Sequence, residues 1–243
     1  MNDNFFIDEA LTPNTKAVFE KVSMLECISD MYLCGGTAIS LQIGNRKSEE
    51  LDFELLNTEN KLDITRIQDE LSKKFSNCVK EILSESHVQF YVDGNVKLSF
   101  FKPMGIKVPN LRAVKKYGNI KVPSPQTMLG MKLFTIVIRS KFRDFYDIYS
   151  LLQKGCSLKE GILFVGQMTN LRIHSKQVIS NLLTLGMTDK PKNFDDTLEP
   201  KYIVNEEYLK QFFKKAIIEM QKNILENNKI ENKPIAPKIR FKL

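Results

Sequence analysis

The sequence predicts an α+β protein, a mixed α/β half over residues 1–122 followed by an all-helical half over 123–228. Two observations divide the chain. Up to about residue 122, short apolar runs stop at glycine or polar turn residues, as strands do; beyond it the apolar patterns repeat with a helical period. Between the halves, Pro123-Ser124-Pro125 supplies a helix cap with proline in the first turn. The composition is that of a globular chain: 243 residues, 42% hydrophobic and 27% charged, enough for one or two cores. No apolar run nears the ~18 residues that read as a membrane span, so no membrane partner is expected.

The elements follow in order. Thr12-Pro13 starts a helix that should run to about Glu26, by the rule of a hydroxyl cap before proline. Met31–Cys34 is short and apolar and reads as a strand that stops at Gly35-Gly36, after which Thr37–Gln42 has helical composition. Leu51–Leu55 alternates and reads as a second strand. Leu62–Phe75 places apolar residues at 62, 64, 67, 71 and 75, one face of a helix. Val88–Val92 and Val96–Phe101 flank Asp93-Gly94-Asn95, a hairpin signal, and Ile120–Val122 adds a further short strand. In the second half, helices are expected over Gln126–Arg139, Phe142–Leu152, Leu158–Gly166 and Lys176–Leu185. Asn205 caps a final helix to about Glu226, with Glu206 and Glu207 where the helix dipole favours acids. Its apolar stripe, Tyr208, Phe212, Phe213 and Ile217 or Ile218, should pack on the preceding helices and so build one wall of a nucleotide cleft; the alternative is a docking face for a partner protein. The basic tail, 229–243, is expected to be flexible.

Charge is unevenly spread. The formal net charge is +7, yet the 50 residues from Gly94 to Arg143 hold eleven bases and no acid, leaving 25 bases against 29 acids elsewhere. Such a block attracts phosphate, with a solvated basic face as the plain alternative. The four cysteines lack CxxC spacing and, with two histidines, make a poor zinc set. The N-terminus has no basic segment leading into an apolar one, so a cytoplasmic protein is expected.

Two constellations carry chemistry. In the first, a strand ends, Gly35 and Gly36 turn the chain, and a helix opens with Thr37. Adjacent glycines permit close backbone approach, and a helix N-terminus offers free N–H groups to phosphate. Glu50 and Asp52 lie two apart on the next strand, so their carboxylates share a face and can hold a divalent metal on a triphosphate. The alternative pairs them with Arg46 or Lys47 on a solvated edge. In the second, Lys132 and Arg139 share a helix face, and Asp144 and Asp147 are neighbours on the next helix. The alternative there is an exposed ion-pair ladder, Lys141 to Asp144 and Arg143 to Asp147.

Taken in this order, GGTA at 35–38, R-x-S-x-E-L-D-F at 46–53 and R-D-F-Y-D-I-Y at 143–149 resemble the AbiEii/AbiGii family of nucleotidyltransferase-like toxins. The resemblance spans about Tyr32 to Leu152. It implies a polymerase-β-like nucleotidyltransferase core followed by a helical half, an NTP substrate with Mg2+, an RNA acceptor (tRNA in particular), and a cognate antitoxin in toxin–antitoxin or phage-defence systems. On the matching positions it implies a phosphate-binding turn at Gly35, Gly36 and Thr37, the motif arginine and hydroxyl at Arg46 and Ser48, metal ligands Glu50 and Asp52, and the downstream pair Lys132 and Asp144. Arg139 and Lys141 of the basic block join the nucleotide-binding set. Three positions depart from the pattern: Glu50 replaces the first aspartate of D-x-D, Asn45 stands where histidine is frequent, and Ser99 occupies the neighbouring-strand position of a third acid. A non-catalytic NTP- or RNA-binding module on the same fold is the second reading. A nucleotidyltransferase for cationic small molecules is disfavoured by the acid-free block.

Overall fold

The computed structural model describes residues 4–57, 59–103, 108, 114–139, 141–186 and 199–231. A five-stranded sheet organises the first half. Its strands are β1 (Met31–Cys34), β2 (Glu50–Leu55), β3 (Cys78–Ser84), β4 (His87–Val92) and β5 (Val96–Phe101), in the order β1-β2-β5-β4-β3. β2 and β5 run parallel, and the remaining neighbours run antiparallel. Alternation decides the faces. Leu51, Phe53 and Leu55, with Leu98 and Phe100, are buried in one core cluster that also takes in Val18, Phe19 and Val22 of α2 (Pro13–Val22) and Ile67 and Leu71 of α4 (Ile64–Lys74). Glu50, Asp52 and Glu54 take the opposite face, which stays partly open.

Local signals explain most boundaries. The Thr12 hydroxyl accepts from the Thr15 N–H at the start of α2, Asp63 caps α4, and Ser124 caps α5 (Pro125–Ile138). Gly94, at φ 70°, makes the tight β4–β5 turn. A two-stranded ribbon, β6 (Val114–Tyr117) and β7 (Ile120–Pro123), leads into α5. Then follow α6 (Phe142–Gln153), α7 (Leu158–Met168), α8 (Ser175–Thr184) and α9 (Glu206–Glu231). Buried α3 (Gly35–Ile43) touches both α5 and α6, so it joins the sheet to the helical half. A short α1 (Ile7–Ala10) packs against α3. Among the described residues no helix is long and apolar enough to cross a membrane.

Several expectations need correction. The first long helix stops at Val22, and Glu26–Ile28 forms a separate 3-10 turn whose N–H groups at Glu26 and Cys27 are held by Glu70. The last helix continues to Glu231, five residues past Glu226 and into the segment read as tail; the rest of that tail lies outside the described residues. Nor does α9 form a wall of the cleft described below. Its Leu209, Phe213 and Ile217 are buried in the helical core, while Phe212 lies half-buried against Tyr149 at a centroid distance of 4.8 Å. Phe213→Ala is therefore the substitution expected to cost ~3–5 kcal/mol in urea melting, with a clearly smaller loss for Phe212→Ala.

Candidate active site

The open sheet face carries polar residues in three rows, set by register. Glu50 of β2 stands beside Lys97 of β5; Cys34, Asp52, Ser99 and Gln89 make the next row; Tyr32, Glu54, Phe101 and His87 make the third. These rows, apart from the buried Tyr32, floor a cleft of about 900 Å³, walled by Met128, Met131, Lys132, Phe134 and Thr135 of α5. Arg139, Lys141 and Arg143 stand at its edge.

Burial pushes the Asp52 carboxyl above its ordinary range, and the charge of Glu50 adds to this against a hydrogen bond from Ser99. Glu54 is pushed up by burial to about 7, even though the Tyr32 hydroxyl donates to it at 2.5 Å. Glu50 pairs with Lys97 at 2.6 Å, not with Arg46 or Lys47. Lys47 goes to Glu199 instead.

The two glycines serve close approach. A Cβ on Gly35, whose φ is +70°, would meet the Asp52 carboxylate at 2.9 Å; one on Gly36 would fall 1.8 Å from the Arg46 guanidinium. Thr37 donates to the Glu50 carbonyl and sits 2.6 Å from the Ser48 hydroxyl, tying the start of β2 to α3. Its hydroxyl is thus engaged in structure. Gly36→Ala should displace Arg46 from its buried seat and lower stability by about 1–3 kcal/mol, the usual cost of overpacking; an unchanged urea midpoint would show that Arg46 yields freely.

Behind the cleft lies a buried ion cluster. Arg46 donates from Nε and Nη2 to Asp147 at 3.0 and 3.2 Å, and Lys132 reaches Asp144 at 2.7 Å and Asp147 at 2.9 Å. Both aspartates are fully buried, which overturns the exposed Lys141–Asp144 and Arg143–Asp147 ladder. Burial alone would raise the Asp147 carboxyl, but Arg46 and Lys132 hold it well below the usual carboxylate range. Arg139 approaches Asp144 at 3.6 Å while remaining 56% exposed.

The model of the family described as "Nucleotidyl transferase AbiEii toxin, Type IV TA system" matches residues 23–222. The chain belongs to the AbiEii nucleotidyltransferase toxin family. Uncharacterized protein aq_aa25 of Aquifex aeolicus is 27% identical over 218 residues, 88% of this chain and 98% of that protein. The crystal structure of JHP933 from Helicobacter pylori superposes with a TM-score of 0.53 at 17% identity, covering 92% of this chain and all of that one. A crystal structure described as that of a "putative nucleotidyltransferase from H. pylori" superposes with a TM-score of 0.52 at 16% identity, covering 86% of this chain and 97% of that one, so the fold is shared with both.

Within the AbiEii frame, Gly35, Gly36, Thr37, Arg46, Ser48, Glu50, Asp52, Lys132, Arg139 and Lys141 all line the one cleft. Asp144 does not; it stands one layer back, holding Lys132. Lys107 and Arg112 of the basic block lie outside the described residues. Two residues escaped sequence reasoning. Asp147 was seen beside Asp144 on one helix but given no role at the site, and Glu54 continues the i, i+2 series from Glu50 and Asp52. No group of three or more metal-ligating side chains is assembled among the described residues. The donor set fits Mg2+ in its usual manner, one or two carboxylates completed by substrate phosphates and water.

Proposed function

We propose that this AbiEii-family nucleotidyltransferase moves a nucleotide from a magnesium-bound NTP to an RNA hydroxyl, with tRNA as the acceptor, and is restrained by a cognate antitoxin. The observation that carries this reading is Asp52, seated against Gly35 and beside Glu50 in a cleft rimmed by Lys97, Arg139, Lys141 and Arg143. Asp52 and Glu50 would hold the ion, which neutralises phosphate charge and lowers the pKa of the attacking hydroxyl. The acceptor oxygen bonds to the α-phosphorus, the α–β bond breaks, pyrophosphate leaves, and the hydroxyl proton passes to solvent through the open cleft.

The chain's own residues supply position and field. Arg46 is set beside Gly36, where the phosphates of a bound NTP would lie. Lys132, fixed by two aspartates, presents its charge without the entropy cost of a free lysine. Arg139 can exchange its long contact with Asp144 for a phosphate oxygen. Ser99 in place of a third acid leaves no carboxylate on β5 beside Asp52. Incubation with Mg2+, each labelled NTP in turn and total tRNA tests the proposal. Label should enter RNA with at least one NTP and stop with chelator; no incorporation from any NTP, with binding retained, would make the chain a nucleotide- or RNA-binding module.

A further inference from the structure

The cleft extends past Asp52, and the extension has its own chemistry. In the third row Glu54, Phe101 and His87 are direct register partners across three strands. The His87 and Phe101 rings meet edge to face at 5.6 Å, and Gln89, one row nearer Asp52, places its amide nitrogen 3.4 Å from the His87 ring. Glu54 has Oε2 fixed by the Tyr32 hydroxyl, which leaves Oε1 without a partner among the described residues. All four of Glu54, Phe101, His87 and Gln89 line the cleft and are half-buried. A flat aromatic surface beside an oriented carboxylate oxygen and an amide is what a nucleobase needs: a face to stack on and an edge to bond.

Position says whose base it is. Gly36 and Arg46 lie on the Glu50 side of Asp52, and the third row lies on the other side, two residues further along β2. In-line displacement puts the attacking oxygen opposite the leaving pyrophosphate. With the departing phosphates by Arg46, the attacking group approaches from the Glu54 side. The cleft, at about 900 Å³, lies at the upper end of the range of ordinary ligand pockets, room for a second ligand.

We propose that Glu54, Gln89 and the Phe101–His87 pair form a nucleobase subsite for the terminal nucleotide of the RNA acceptor, selecting a base with an exocyclic amino group. A carboxylate oxygen accepts such an amino hydrogen; uracil offers its one ring N–H between two carbonyl oxygens, which the carboxylate repels. The inference rests on the RNA-acceptor reading above.

The test is binding by the full chain of labelled RNA trinucleotides that end in A, C or U, beside the four NTPs. Wild type should favour A- and C-ended RNA about tenfold over U-ended RNA. Glu54→Gln should bring that ratio close to one, and a ratio cancels the general gain in RNA affinity from losing a negative charge. Tyr32→Phe, which unties Glu54 without removing it, should shrink the ratio. Phe101→Ala should weaken all three RNAs about tenfold by loss of stacking. Equal binding of the three RNAs by wild type, or a preference that survives Glu54→Gln, would overturn the subsite. A Glu54-dependent preference among NTPs instead would overturn its assignment to the acceptor. Failure of transfer with the base preference intact would count against the catalytic proposal and leave the subsite standing.

Discussion

Asp52→Ala is expected to lower nucleotidyl transfer by at least about 10²–10³-fold, the scale of losing one contact to developing charge, while the fold becomes no less stable. The two readouts part because burial disfavours ionised Asp52 in the folded state. A carboxyl whose folded pKa is raised imposes no penalty at acid pH, where it is protonated in both states. The penalty grows as pH climbs past the ordinary aspartate value near 4 and is complete above the folded value. At neutral pH the alanine variant should therefore melt at the same urea concentration as wild type or a higher one. Glu50→Asp, which restores the shorter arm of D-x-D, should keep or raise activity. Full transfer by Asp52→Ala would remove the metal assignment, and a collapse in stability would show that the carboxylate holds the sheet together.

Much of this site was legible because strand alternation is a local property. Glu50 and Asp52 share a face by the two-residue period alone, and the Asp93-Gly94-Asn95 turn announced the β4–β5 hairpin, while the place of Ser99 beside Asp52 came from the family resemblance and is fixed by the parallel β2–β5 register. What escaped was non-local. β3 is an edge strand exposed along nearly its whole length, so Cys78–Ser84 has no buried alternation to reveal it. The basic block reads as a single face, yet the fold disperses it: Lys132 is buried among aspartates, Lys97 neutralises Glu50, and Lys121 donates to the Ser29 carbonyl. The ladder of α6 failed for the same reason. Spacings of three and four residues suggested Lys141 and Arg143 as partners, but the true partners of Asp144 and Asp147 come from α5 and from Arg46, 101 residues away from Asp147.

That long-range pairing sets the largest stability effect expected of any change to a charged residue. Asp147→Asn should cost ~3–5 kcal/mol at neutral pH, because breaking a buried pair from one side strands the other charges. Arg46 would lose both of its carboxylate contacts, and Lys132 would keep only Asp144. The damage should spread, since Arg46 follows Asn45, whose amide also donates to Asp147 at 3.1 Å and whose carbonyl accepts from Tyr146 and Lys201. The pH profile identifies the cause. The folded pKa of Asp147 is depressed, so its contribution is present above the unfolded value near 4 and declines as pH falls through that value toward the folded one. Urea midpoints of wild type and Asp147→Asn should thus differ most above about pH 5 and converge on acidification below about pH 4. A gap that stays constant from pH 7 to about pH 3 would attribute the loss to packing rather than charge, and equal midpoints at pH 7 would mean that the cluster positions Arg46 and Lys132 without stabilising the fold.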